Sequence, residues 1–222
     1  MTSSAPPPSR PPAWPLFALP PEAFAKEDPS DDALFYRPAR LVAHIDEGAT
    51  AALTARYAAR LAPGAAVLDL MSSWVSHLPA PEALPLGHVL GHGMNAEELA
   101  ANPRLDAWWV QDLNRDPALP LPDASRDAVL VCVGVQYLQH PREVFAEIAR
   151  VLCPGGRVIV SFSDLCFPTK AIAAWLALDM RGRAALVRGY LKGAGLEDVT
   201  AEVLADGSGG DPLVAVEGRR GA

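Results

Sequence analysis

The side chains able to do chemistry in this sequence are sorted by what surrounds them. His44 sits among Phe35, Tyr36, Arg37 and Asp46, in a stretch too short to bury a core of its own. An imidazole there, with its near-neutral reference pKa, suits proton removal at physiological pH, or it serves as a satisfied structural residue. His88 and His92 are four apart, but on a strand that spacing separates them by roughly 13 Å at about 3.3 Å per residue, so they are no metal pair. His140 precedes Pro141 and either caps a helix or faces a substrate. Cys166 and Lys170 flank the start of a helical stretch, where a thiolate would be favoured and an anionic or soft substrate could be held. In Val67-Leu68-Asp69-Leu70-Met71-Ser72-Ser73-Trp74 an apolar run carries one carboxylate and ends on two hydroxyls. Ser72 there can cap a short helix over 73–78, whose free amides would bind an anion.

These residues need a frame, and the hydrophobic pattern supplies one. Asp46 is a good N-cap, Leu53, Tyr57 and Leu61 recur at four-residue spacing, and Gly64 closes a helix. Short apolar runs over 65–70, 88–91, 107–110, 128–135 and 157–162 read as strands buried on both faces of a parallel sheet. Between them lie helices over 95–101, with Glu97 and Glu98 in the first turn, and over 141–152, where Val144, Phe145, Ile148, Val151 and Leu152 form one stripe. Pro154-Gly155-Gly156 reads as a turn into the next strand. Residues 169–191 read as a helix, and 200–204 with 213–217 as an antiparallel hairpin. Alternating strand and helix predict a doubly wound α/β domain over 46–222, preceded by a flexible proline-rich tail over 1–20 and a cap or lid over 21–45.

Composition narrows the function. A chain of 222 residues, half of them apolar, can bury one sizeable core. The net charge of -7, with signs interspersed, disfavours a nucleic-acid partner. Three cysteines at unrelated spacings fit neither a disulfide framework nor a zinc site, and no metal ligand set is read here. No run of about 18 apolar residues and no signal-peptide pattern occurs, so the expectation is a cytoplasmic protein with no membrane partner.

In order, Val67-Leu68-Asp69-Leu70, Val89-Leu90-Gly91, Val110-Gln111-Asp112-Leu113, Asp127-Ala128-Val129-Leu130 and Arg150-Val151-Leu152-Cys153-Pro154-Gly155-Gly156, with Val158-Ile159-Val160-Ser161 after it, resemble the class I S-adenosylmethionine-dependent methyltransferases, type 11-like. The resemblance covers residues 46–217. It implies a Rossmann-like α/β fold with a seven-stranded, mostly parallel sheet, helices on both faces and a C-terminal antiparallel hairpin. It also implies a site at the carboxyl ends of the strands. The implied cofactor is S-adenosylmethionine and the implied partner a small-molecule substrate. Asp69 would lie near the cofactor's methionine part, and Asp112 beside Leu113 would accept the adenine amino group, as only an acceptor can. Tyr36 and His44 in the lid, with Gln136 and Tyr137 after the fourth strand, are the candidates near the substrate.

The sequence departs from the family twice. Where the family has glycines after the first strand, this chain has Met71, Ser72, Ser73, Trp74 and Val75. Where the second strand usually ends in an acid that grips the ribose, Gly93 or Met94 stands. Either Met71, Ser72 and Ser73 still form a working cofactor turn and Asn95 supplies a ribose contact, or Trp74 and Met71 fill the old cofactor space and leave a non-catalytic protein that binds a metabolite or partner. A nicotinamide-dependent oxidoreductase is less well supported, because no GxGxxG follows the first strand.

Overall fold

Side-chain caps and alternating burial set most of the boundaries. The structure, a computed structural model, describes residues 19–222; the tail expected over 1–20 lies outside the described residues apart from Leu19 and Pro20. In the N-terminal segment Asp31 accepts from the Ala33 amide and caps a short helix, α1 (Asp32–Tyr36). Asp46 Oδ1 accepts from Ala49 N at 2.8 Å and starts α2 (Glu47–Arg60) as expected. The strands and helices that follow are β1 (Ala66–Leu70), β2 (His88–Gly93), α3 (Ala96–Ala101), β3 (Ala107–Val110), β4 (Arg126–Cys132), α4 (Pro141–Val151), β5 (Leu152–Phe162), α5 (Ala173–Leu176), α6 (Met180–Gly193), β6 (Glu197–Ala205) and β7 (Leu213–Arg219).

They form one sheet of order β3-β2-β1-β4-β5-β7-β6, in which β7 runs antiparallel to both of its neighbours. The expected Rossmann-like architecture and terminal hairpin are therefore present. Alternation along β1, β4 and β5 divides the core, whereas β3, expected to be buried on both faces, is an edge strand with Trp108 and Val110 exposed. Leu68, Leu70, Val129, Val131, Val158 and Val160 pack under α4 and α6, while Val67, Ala128, Leu130 and Ile159 pack under Leu53 and Tyr57 of α2. Strand order reverses at β1, between β2 and β4, which opens a crevice above their carboxyl ends.

Four local expectations are corrected. The strand expected to reach residue 135 stops at Cys132, because Val133 turns left-handed (φ 43°) and its amide bonds Ser161 O. A 3-10 turn, Val135–Tyr137, follows. The helix expected over 169–191 is broken between α5 and α6, where Asp179 caps the second piece through the Gly182 amide. Strand β5 starts at Leu152 rather than after the Pro-Gly-Gly: Gly155 (φ 76°) donates to Arg220 O, which makes an irregular sheet edge instead of a free turn. Residues 73–78 form no helix.

Lys170, expected near the site mouth, is an anchor instead. It is fully buried, and Nζ donates to Ser30 O at 2.9 Å and pairs with Asp28 Oδ2 at 3.0 Å and Asp32 Oδ1 at 3.3 Å. Burial works against its charge, but the two carboxylates outweigh it and hold the amine above its usual pKa. Lys26 pairs with Asp32 from the other side. The residue pair thus fastens the segment before α1 to the loop after β5. No helix among the described residues is long and apolar enough to cross a membrane.

Replacing Lys170 by Met removes one of the two cations around Asp32, leaving Lys26 in place, and takes the donor from Ser30 O. Urea unfolding should show a loss of about 1–3 kcal/mol, the cost of leaving buried polar groups without their partner; a change within about 0.5 kcal/mol, as at an ordinary surface site, would show that the anchor contributes nothing.

Candidate functional site

The crevice holds a cavity of about 300 Å³, lined by the ends of β1 to β4 and by the N-terminal segment. This volume lies at the low end of the range of roughly 300–1,000 Å³ common for small-molecule sites. Its floor is stitched by His92 at the end of β2. The Met71 amide donates to His92 Nδ1 at 3.2 Å, the Ser72 amide donates to His92 O at 2.6 Å, and His92 Nε2 lies 3.0 Å from Gln111 O. With Nδ1 accepting, Nε2 carries the proton and donates, so the ring is neutral. Burial holds its pKa down to about 4.

The missing glycines have moved to other positions. Met71 itself adopts the left-handed torsion (φ 60°) that a glycine would take without strain. Its side chain fits because Gly134 faces it: a Cβ at residue 134 would stand 2.9 Å from Met71 Cβ. At the end of β2, a Cβ on Gly93 would meet Ser72 O at 2.4 Å. The close approach of the Ser72 carbonyl thus forbids a side chain where the family keeps its acid.

The helix expected over 73–78 is replaced by an irregular loop whose polar groups are met from α3. Asn102 Nδ2 donates to Ser73 O and to Ser76 Oγ, both at 2.9 Å. Ser73 Oγ donates to Glu98 Oε2 at 2.6 Å, and Ser72 Oγ donates to Asp69 Oδ2 at 2.6 Å. With no helix there, Ser72 caps nothing. The loop also corrects the filled-pocket alternative. Trp74 does not line the cavity; its indole donates to Val42 O at 3.0 Å, on the N-terminal segment.

Asp69 and Asp112 reach the same cavity from the ends of β1 and β3. Asp69 is 2% exposed, and burial pushes its carboxyl up to about 6 against the hydroxyls of Ser72 and Ser76. Asp112 uses Oδ1 to accept from the Asn114 amide at 2.9 Å, a turn cap, and lies beside buried Leu113. Asn95 also lines the cavity, but its amide is fully engaged. Oδ1 accepts from Glu97 N and Glu98 N, and Nδ2 donates to Tyr36 O and Arg37 O. A ribose contact would have to displace one of these bonds, so in this state Asn95 is a clamp on the lid.

The substrate candidates converge from two elements. Tyr36 and His44 arrive from the N-terminal segment, Gln136 and Tyr137 from the turn after β4. Tyr36 and Tyr137 meet edge to face at 6.5 Å, and Tyr137 stacks on Phe167 at 6.1 Å. Burial keeps both phenols protonated, that of Tyr137 up to about 12. His44 stands against Phe167 at 5.8 Å, and burial lowers its pKa despite nearby Glu98. His140 lies outside this group, exposed at the start of α4 with no side-chain cap bond. Cys166 lines the cavity as a thiol, since burial raises its pKa, and no helix begins there to favour a thiolate.

Sequence reasoning missed His77, Arg40 and above all Glu98, which is 9% exposed and accepts from Ser73 Oγ and the Arg40 amide. A signal for Glu98 existed: Asn95, Glu98, Leu99 and Asn102 fall at i, i+3, i+4 and i+7, the buried stripe of a helix.

Residues 87–160 match the family model described as a methyltransferase domain. Over 94 residues, 40% of this chain, the sequence is 37% identical to the malonyl-(acyl-carrier protein) O-methyltransferase of Hahella chejuensis, 33% of which is covered. Over 110 residues, 46% of the chain, it is 36% identical to the arsenite methyltransferase of Halobacterium salinarum, 28% of which is covered. The matched stretches therefore span about a third or less of these curated relatives. The fold is similar to that of an S-adenosylmethionine-dependent methyltransferase from Aquifex aeolicus, with a TM-score of 0.57 at 17% identity over 87% of this chain and 94% of that one.

Two buried groups of this site oppose each other in acid. His92 is held neutral down to about 4 from an ordinary 6.5, so between those values the unfolded chain binds a proton that the fold does not, and stability falls as pH falls. Asp69 is raised from 3.8 to about 6, so between those values the fold binds the extra proton, and stability rises as pH falls. Each effect amounts to about 3 kcal/mol at about 1.4 kcal/mol per pKa unit. Urea midpoints at the two ends of this window should show Asp69→Asn losing more stability in acid than the wild type, and His92→Gln losing less or gaining. Parallel pH profiles for all three proteins would refute the assignment.

Proposed function

We propose that this chain, whose residues 87–160 match a methyltransferase-domain model, is a class I S-adenosylmethionine-dependent methyltransferase that moves a methyl group from S-adenosylmethionine to a small-molecule acceptor. The observation that carries the reading is that two carboxylates, Asp69 and Asp112, open on one cavity from the ends of β1 and β3, and that Asp112 keeps an oxygen for a donor beside an apolar Leu113.

The residues present fit the cofactor. Asp112 can accept from the adenine amino group, with Leu113 against the ring. Glu98 uses two of about four acceptor sites and keeps capacity for ribose hydroxyls, in place of the acid that Gly93 cannot carry. Asp69 supplies the counter-charge for the methionine ammonium, while Ser72 holds the Asp69 carboxylate and Ser73 that of Glu98 in place. Met71 adds an apolar wall. Asn95 fixes the lid above them.

When bound, the sulfonium supplies an electrophilic methyl group. The chain's own work is to align the acceptor, exclude water and accept a proton where the acceptor must lose one. Tyr36 and Tyr137 shape the space as neutral phenols. His44, neutral by burial, is the group available to take a proton. A cavity of about 300 Å³ under an anchored lid supports a small acceptor rather than a polymer. Three free cysteines fit a reducing, cytoplasmic setting.

Isothermal titration with S-adenosylhomocysteine should give binding at micromolar concentration. Asp112→Ala should weaken it by about 1–3 kcal/mol, the range for losing a hydrogen bond to a charged group, with the melting temperature little changed. Wild-type protein that takes up neither this ligand nor S-adenosylmethionine at millimolar concentration would overturn the reading.

A further inference from the structure

We infer that the methyl acceptor carries a carboxylate, which pairs with the guanidinium of Arg40 at the Phe167 side of the cavity; as a statement about the acceptor this rests on the methyl-transfer reading above. Among the described residues Arg40 is the one lysine or arginine that lines the cavity, against four carboxylates, Asp32, Asp69, Glu98 and Asp112. Asp32 has its own cations in Lys26 and Lys170. Arg40 has no carboxylate partner. Its Nη2 donates to Phe35 O at 2.9 Å and its Nη1 to Pro38 O at 3.4 Å. Two of its five N–H groups are so used, and that of Nε finds no acceptor in the protein. The two carbonyls hold the group in place but, being neutral, leave its charge unbalanced.

Its position assigns the charge to the acceptor and not to the cofactor. The guanidinium lies over the Phe35 ring at 4.5 Å and the Phe167 ring at 5.5 Å, and His44 stands against the same Phe167 at 5.8 Å. A guanidinium laid on ring faces keeps its N–H groups at the edge, where a carboxylate meets them with two oxygens. The ammonium and carboxylate of the cofactor's methionine part share one carbon, so a cation serving that carboxylate would stand close enough to Asp69 to stabilise its ionised form. Asp69 is instead raised by burial and lowered by the hydroxyls of Ser72 and Ser76, with no guanidinium acting on it. Burial dominates at Tyr36 and His44, but both also feel the Arg40 charge. One guanidinium balances one negative charge. A dianion such as a phosphate monoester would bring a second into a cavity already lined by carboxylates, which is costly without a further cation.

Hexanoate and hexanamide share an apolar chain and differ in charge. Dissociation constants come from ligand-observed NMR, in the cofactor-free protein and in protein saturated with S-adenosylhomocysteine. The wild type should bind hexanoate about ten-fold more tightly than hexanamide, the factor expected from one hydrogen bond to a charged group. Arg40→Gln should remove that preference and leave the hexanamide constant unchanged, while Arg40→Lys should keep part of it. Equal binding of the pair by the wild type, uptake of neither, or a preference that survives Arg40→Gln would overturn the inference. So would an Arg40→Gln variant that binds S-adenosylhomocysteine more weakly but methylthioadenosine, which lacks the amino-acid part, as well as before, since the guanidinium would then serve the cofactor. Because the wild-type comparison stands alone, a variant that fails to fold does not remove the test. Absence of S-adenosylhomocysteine binding by the wild type would overturn the functional reading instead, and the hexanoate-to-hexanamide ratio of the free protein would still decide whether the cavity holds a carboxylate.

Discussion

The site depends on a helix of only six residues whose inner side, with its two caps, is polar except for Leu99. Asn95, Glu98 and Asn102, on the inner side of α3, hold the loop after β1 on one hand and the N-terminal lid on the other. The loop has no regular hydrogen-bond ladder, and the N-terminal segment has only the short helix α1, whose last carbonyls are free, so these groups must be met from outside. α3 does this for both. An apolar stripe there would bury more carbon, but would leave Ser73 O, Ser76 Oγ and the lid carbonyls of Tyr36 and Arg37 to find other partners.

The same economy governs the glycines. A nucleotide-type turn needs close backbone approach and left-handed torsions, and glycine normally provides both in one place. Here the two needs are separated. Met71 takes the left-handed torsion at a strain of order 1–3 kcal/mol, while Gly93 on β2 and Gly134 in the turn after β4 provide clearance. The side chain that results is a thioether in the cavity wall, packed against Gly134 and stitched through its amide to His92. A glycine-poor turn can therefore keep its cavity, because the room it needs is made by its neighbours.

This explains which parts of the protein were legible in sequence. Strands and helices whose apolar residues alternate or recur were readable, since a buried face repeats its own period: β1, β4, α2 and α4 all behave so. The terminal hairpin is readable from two short apolar runs joined by a glycine-rich connection, and the position of Asp112 after β3 from the family resemblance rather than from any buried period, since β3 is mostly exposed. The breaks were not. Val133 bears no residue-type mark of a left-handed turn, and the end of α5 is decided by Asp179 capping the next helix. Lys170 looked like a ligand-binding cation because its partners, Asp28 and Asp32, stand about 140 residues away and only the fold brings them together. Glu98 reads in sequence only as a first-turn carboxylate favoured by the helix dipole, while its phase on α3 places it inward beside Leu99.

The N-terminal segment, finally, is joined to the body in two physically different ways. Its polar joints, Asn95 to Tyr36 O and Arg37 O, Glu98 to the Arg40 amide and Asn114 to Asp32, set where it sits. Bonds of this type are exchanged for water on opening, so each contributes only about 0.5–1.5 kcal/mol net. The ring contacts, Phe35 on Phe167 and Tyr36 against Tyr137, have no such replacement, and exposing them carries the larger free-energy cost. Register is thus given by the polar groups and closure by the apolar ones. Asn114 ties the two together: its amide nitrogen bonds Asp112 Oδ1, while its side chain reaches Asp32 of the lid and Tyr137 O of the substrate wall. A shift of the loop that carries Asp112 is felt at the N-terminal segment through one residue, so the two sides of the cavity are mechanically continuous.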